Sequence, residues 1–230
     1  GQGMAGATCA QNNGLIGRCE DILGFPGGGH KRYHSCGGRA TETDLLSTCN
    51  CSYRREVFDK LSFKEDGFGR LGSEDFLLGR TVAQLGKCLY VPTAVVYHKP
   101  RGSLSKIVSW FSRRRIVELL FEESTGGRKN YRPFFKSPHK VILLRLVLAL
   151  FTVVFCGWNG IGFLLLIAGF WYVFILVRSL PVTRYFESRS VIFIVPIVRL
   201  CMDLGVLVGE WKYLVHSHEK LGLTLEEYKR

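Results

Sequence analysis

The sequence predicts an α/β head followed by an α-helical membrane region, and three observations carry that expectation. Apolar residues are unevenly spread: long apolar runs begin at Val141, whereas residues 1–140 are rich in glycine and charge. Within the first part, short strand-like stretches alternate with apolar residues at helical spacing. Between the two parts lies a basic block of Lys99, Arg101, Lys106, Arg113, Arg114, Arg115, Arg128, Lys129, Arg132, Lys136 and Lys140, opposed only by Glu118, Glu122 and Glu123. The 230-residue chain, with net charge +12, thus reads as a water-soluble head on a membrane foot.

Residues Gly1 to Arg39 carry Gly27-Gly28-Gly29 and Gly37-Gly38 and read as loops around short elements, with Gly14-Leu15-Ile16-Gly17 a brief strand or turn. No Gly-x-x-x-x-Gly-Lys-Ser/Thr pattern accompanies these glycines, so backbone permissiveness rather than phosphate cradling accounts for them. Leu45 to Tyr53 reads as a strand. Arg54 to Leu61 has Val57, Phe58 and Leu61 at helical spacing, and a loop runs from Phe63 to Gly72. Ser73 is a good N-cap, and Glu74 and Asp75 in the first turn suit the helix dipole. That helix continues through Val82 and Leu85 and stops at Gly86. Cys88–Val91 and Ala94–Tyr97 are expected as two short strands interrupted by Pro92, and Leu104–Phe121 as a long amphipathic helix.

Val141–Cys156, with Arg145 near its start, and Ile161–Val177 are expected to form a transmembrane hairpin around a tight turn at Gly157-Trp158-Asn159-Gly160. Each arm approaches the ~20 residues needed to cross the hydrocarbon core. Arg178, Arg184 and Arg189 follow the second arm, so both ends of the hairpin are basic. That asymmetry predicts a multi-pass protein of the cytoplasmic membrane with its head in the cytoplasm. Val191–Val208, with Arg199 and Asp203 four residues apart, either spans or lies in the membrane surface. The basic block predicts contact with anionic membrane lipids, at about 1 kcal/mol per basic residue near the surface. Nucleic acid is not expected as a partner, because no nucleic-acid motif accompanies the charge.

The eight cysteines contain no Cys-x-x-Cys pair, and two lie within apolar runs, which suits free thiols in a reducing compartment. A zinc site drawn from His30, His34, Cys36, Cys49 and Cys51 is the alternative.

The ordered set Thr48-Cys49-Asn50-Cys51-Ser52-Tyr53-Arg54-Arg55-Glu56, Gly67-Phe68-Gly69, Ser73-Glu74-Asp75, Leu85-Gly86, Tyr90-Val91-Pro92 and Val96-Tyr97-His98 resembles the second half of the catalytic domain of family 2 inverting glycosyltransferases. The resemblance implies a partial GT-A, Rossmann-like fold. It implies transfer of a sugar from a nucleotide-diphosphate donor to a lipid-linked or envelope glycan acceptor. By that analogy Asp75 is the base that takes the acceptor proton, with Glu74 beside it. Arg113, Arg114 and His98 are candidates for the donor diphosphate, and His98 also for a metal. Asn50 and Arg54 lie on the acceptor side. Trp110-Phe111-Ser112-Arg113-Arg114 stands where processive members carry Gln-x-x-Arg-Trp, and only Arg113 matches, which argues against a processive synthase.

The family's Asp-x-Asp, which holds Mg²⁺ or Mn²⁺, is absent, and neither Glu20-Asp21 nor Glu42-Thr43-Asp44 replaces it. The expected cofactor, a divalent metal, would therefore be held mainly by a donor half outside these 230 residues, and the chain alone is not expected to be a competent enzyme. The expected divisions are 1–103 (catalytic portion), 104–140 (basic interfacial helix and linker), 141–178 (hairpin) and 179–230 (third apolar helix and polar tail). A catalytically inactive accessory subunit derived from a transferase is the alternative.

Overall fold

The computed structural model describes residues 1–10, 14–44, 46–61, 74–124, 147, 154, 158–184 and 189–215, with residues 74–77, 120–124, 158–160, 163, 189 and 190 described by their backbone course alone. A four-stranded mixed sheet occupies the N-terminal part. It is built from β1 (Gly3–Ala10), β2 (Thr41–Thr43), β3 (Cys51–Tyr53) and β4 (Cys88–His98), in the order β2-β4-β1-β3. β1 and β4 run parallel, and the two outer pairings are antiparallel. Helices α1 (Gly14–Ile22), α2 (Gly29–Ser35), α3 (Arg55–Phe58) and α4 (Glu74–Leu85) are interleaved with the strands. Three longer helices follow: α5 (Leu104–Ser124), α6 (Trp158–Thr183) and α7 (Val195–Val215), the last entered through a 3₁₀ turn at Arg189–Phe193. An α/β region followed by a helical part is thus observed.

Where the glycine content of residues 1–39 suggested loops, β1, α1 and α2 are found. β1 is the inner strand beside β4 and is buried along most of its length, which small residues such as Gly3, Ala5 and Ala7 permit. Such residues carry little strand signal of their own, since strand preference mostly reflects packing against neighbours. Gly14–Gly17 opens α1 rather than forming a strand or turn. β4 is one strand, not two. The β1–β4 register steps from Gly6↔Val91 to Ala7↔Val95, so Pro92, Thr93 and Ala94 form a bulge that needs no ladder N–H from the proline. Asn50 closes this bulge: its Nδ2 donates to the carbonyls of Ala7 and Ala94, each at 2.8 Å.

The helix expected over residues 73–85 is observed as α4, with Leu78 and Val82 buried against Ala5, Ala7, Cys88 and Tyr90. Its N-cap candidate Ser73 lies outside the described residues, as do the loop 63–72 and the linker 125–140. Of the segment 141–156, expected as the first arm of the hairpin, only Val147 and Val154 are described, both helical and exposed. Trp158, Asn159 and Gly160 belong to the first turn of α6 rather than to a connecting turn. Among the described residues two segments, Leu164–Thr183 and Val191–Val215, are long and apolar enough to cross a membrane. The first is almost wholly unburied and the second is half buried.

That half-burial has a specific cause. α7 packs along α5 through a Gly205-x-x-x-Gly209 pair. A Cβ on Gly205 would stand 2.6 Å from the Val108 carbonyl oxygen, and one on Gly209 would stand 2.5 Å from that of Ser112. Small residues four apart let two helix backbones approach closely. Matching 205 to 108 and 209 to 112 shows the helices to be parallel, and Arg115 joins Glu210 at 2.9 Å further along. Val195, Val198, Met202 and Val206 thereby enter one core with Cys19, Ile22, Ile107 and Phe111 of the head. The Gly205→Val substitution should overpack this contact and cost about 1–3 kcal/mol. The check is a lowered unfolding midpoint in detergent relative to Leu204→Val, which changes an exposed position on the same helix.

Candidate functional site

The parallel strands β1 and β4 end side by side, with Ala10 opposite His98. In α/β sheets ligands gather at the carboxyl ends of such strands. Two adjacent carboxylates of α1, both fully buried, organise this edge. Asp21 Oδ2 accepts from the Ala10 N–H at 2.9 Å, and Oδ1 accepts from the His30 N–H at 2.6 Å. The His30 ring adds a third bond, Nδ1 to Asp21 Oδ2 at 2.5 Å. Gly29 makes this fit possible: its φ is +54°, and a Cβ there would stand 2.5 Å from the Asp21 carbonyl oxygen. Glu20 turns the other way. Its Oε2 accepts from the Arg101 N–H and its Oε1 from Arg101 Nη1, both at 2.8 Å. The Arg101 guanidinium then lies 3.8 Å over the Trp110 ring of α5. One dipeptide therefore fastens the end of β1, the start of α2, the segment leaving β4 and, through Arg101, α5.

The sequence alone does not reveal these side chains as a unit, since Glu20-Asp21 there stands out only as a poor substitute for a metal-binding Asp-x-Asp. The available signal was two adjacent acids in a short helix otherwise lined by Leu15, Ile16, Cys19 and Ile22. Such acids need buried cationic or N–H partners.

The residues singled out in the sequence are placed as follows. Glu74 and Asp75 form the first turn of α4. Only Gly86 and Lys87 join α4 to β4, so the helix runs back antiparallel to that strand and its first turn points toward the edge where β4 ends. His98 is the last residue of β4 and is exposed. Asn50 holds the bulge midway along the β1–β4 pair. Arg54 is not brought to this edge. It follows β3, and its N–H bonds the Gln2 carbonyl, at the opposite end of β1. There it lines a shallow groove of about 360 Å³ with Glu56, Lys60 and Leu85. The eight residues of β1 separate the two ends, seven strand steps or roughly 23 Å. Arg113 is exposed on α5, and Arg114 bonds Glu118 at 3.0 Å beside the Trp110 and Phe25 rings.

His30, His34, Cys36, Cys49 and Cys51 do not assemble a zinc site. His30 is engaged by Asp21, Cys36 Sγ meets the Thr41 hydroxyl at 3.6 Å, and Cys51 lies within β3. Among the described residues no three His, Cys, Asp or Glu side chains converge as metal ligands, around His98 or elsewhere.

The Asp21 carboxylate, and after it the Cys9 sulfur, raise the His30 imidazole to about 10 against the opposing effect of burial. His30 is therefore a cation at neutral pH, ion-paired with Asp21. Burial, and then the His30 charge, lower His34. No protein-family model matches this chain, and no curated protein or solved structure matches it.

Because His30 binds its proton more tightly folded than at its ordinary value of 6.5, its pairing stabilises the fold fully below pH 6.5. That contribution is lost as pH rises through about 10. Thermal unfolding of His30→Gln against wild type at several pH values is expected to show a gap that is largest near pH 6 and closes toward pH 10.

Proposed function

We propose that this chain is the acceptor-side portion of an inverting glycosyltransferase that works at the cytoplasmic face of a membrane. The sugar comes from a nucleotide-diphosphate donor and passes to a lipid-linked or envelope glycan acceptor. The observation that supports the reading is that α4 runs back antiparallel to β4, so its Glu74-Asp75 turn is directed toward the same edge of the parallel strand pair at which His98 ends β4. Of the ordered motifs, the acidic pair and His98 are the two that this reading assigns to that edge.

In this reading Asp75 accepts the proton of the acceptor hydroxyl as its oxygen bonds to the anomeric carbon. The bond from that carbon to the donor diphosphate breaks on the opposite face, so configuration inverts. Cationic groups must neutralise the departing diphosphate. Exposed Arg113 is suited to that role, since a guanidinium fork matches phosphate oxygens. Arg114 is already held by Glu118 and serves the helix surface first. Mg²⁺ or Mn²⁺, when bound, would offset diphosphate charge, and the residues holding it would come mainly from a donor half not contained in these 230 residues. Asn50 acts by shaping the β4 bulge, and Arg54, at the far end of the sheet, takes no part in the transfer step. The outward apolar surfaces of α6 and α7 support membrane association.

In membranes carrying the gene's whole product, Asp75→Asn is expected to lower transfer by roughly 10²–10⁴-fold with donor binding retained. Unchanged transfer would move the base elsewhere and return Glu74-Asp75 to a helix-capping role. A wild-type protein without turnover would favour the accessory-subunit reading, which the missing Asp-x-Asp motivates.

A further inference from the structure

The Val191–Val215 segment passes a length-and-hydropathy test for a membrane span, yet its packing is incompatible with crossing a bilayer. α7 lies parallel and in close contact with α5 along Gly205–Gly209. The register that pairs 205 with 108 puts Lys106 level with Asp203, near the middle of the apolar segment, and Arg113 level with Glu210. Lys106 and Arg113 are both exposed on α5. A spanning α7 would carry both charges into hydrocarbon, Lys106 near the centre at about 2.5–3.5 kcal/mol and Arg113 nearer the end. It would also pull the core it shares with Cys19, Ile22, Ile107 and Phe111 off the sheet-bearing head.

The outward face of α7 and of the 3₁₀ turn before it is nonetheless apolar. Phe193, Ile197, Leu200, Leu204, Trp211 and Leu214 recur every three, four or seven residues and are each more than 40% exposed. This stripe adjoins the outward apolar surface of α6, because Tyr172 of α6 donates to the Phe193 carbonyl at 2.7 Å and Ile175 and Val182 pack on the shared core. Cations flank it. Arg199 stands beside the stripe, paired with Asp203 at 3.0 Å, and Arg178 and Arg184 mark the end of α6. Lys31 is exposed on α2 of the head, and partial desolvation, followed by the Arg178 and Arg199 charges, holds its ammonium below the ordinary lysine value. Lys31, Arg178, Arg184 and Arg199 outnumber Asp203 at this junction, so the rim is complementary to anionic headgroups.

We infer that α7 lies in the plane of the membrane surface, with its Phe193–Leu214 stripe against the acyl boundary of an anionic bilayer and its cationic rim among lipid phosphates, while the opposite face closes the core of the head. An in-plane amphipathic helix buries its apolar face ~5–10 Å into the headgroup–acyl boundary. The inference rests on membrane attachment and not on sugar transfer, so failure of the transferase reading leaves it standing.

The test is a depth measurement at Leu204, exposed and close to the middle of the segment. The chain carrying Leu204→Trp is reconstituted in vesicles of phosphatidylcholine with phosphatidylglycerol, brominated at shallow or deep acyl positions. The emission of the unsubstituted chain, which has four tryptophans of its own, is subtracted. The added signal is expected to be quenched more strongly by shallow bromines, and more in phosphatidylglycerol-containing vesicles than in phosphatidylcholine alone. Strongest quenching by bromines near the midplane, ~15 Å deep in a ~30 Å core, would show a spanning helix and overturn the inference. Absence of quenching would overturn it too, by placing the stripe against protein or water. Equal quenching in the two lipids would remove the role of the cationic rim. Leu200→Trp, on the same exposed stripe, repeats the reading should Leu204→Trp fail to fold.

Discussion

Two adjacent carboxylates with no access to water, Glu20 and Asp21, are the constraint on which the rest of the head depends. A buried carboxylate without partners is too costly to persist, so each must be met by cations or N–H groups on segments that have no other reason to converge. Asp21 draws in the end of β1 and the start of α2; Glu20 draws in Arg101 and, through it, Trp110 of α5. Removing one partner of such a pair typically costs about 3–5 kcal/mol, much of it the penalty of the charge left behind. The pairs therefore define where α1 sits: between the carboxyl edge of the sheet and the long helices that follow it.

From α1 the same logic runs outward to the C-terminal helices. Cys19 and Ile22 point into a cluster completed by α5, the 3₁₀ turn and α7, so the head and the C-terminal helices share one hydrophobic core instead of meeting at a linker. Gly205 and Gly209 set the spacing, and the Arg115–Glu210 pair continues the contact beyond them. α6 contributes only a few residues to this core and presents the rest of its apolar surface outward. The carboxyl edge of the sheet is held at a fixed position relative to the outward apolar faces of α6 and α7.

The parts legible in the sequence are those with strong local signals. α4 begins at Glu74 and ends before Gly86, the expected glycine stop, and the Arg199–Asp203 spacing does form a pair on one helix face. β1 was not legible, because Gly3, Ala5 and Ala7 are strand residues only by virtue of what packs on them. Pro92 looked like a break because a proline cannot donate to a ladder, but a bulge opposite Gly6–Ala7 removes that requirement. The role of Asn50 followed the same pattern: its amide closes a bulge whose existence depends on long-range pairing. Glu20-Asp21 and the Gly205–Gly209 spacing were visible as residues, but their partners lie far away in sequence.

The central claim is that the edge formed by the ends of β1 and β4 and the first turn of α4 serves sugar transfer with inversion. The most direct measurement is the anomeric configuration of the first product, followed by proton NMR, in membranes carrying the gene's whole product supplied with a nucleotide-sugar donor and membrane lipids. Inverted configuration relative to the donor is the result the account predicts. Retained configuration would contradict it, as would a protein that forms no glycoside from any nucleotide-diphosphate sugar.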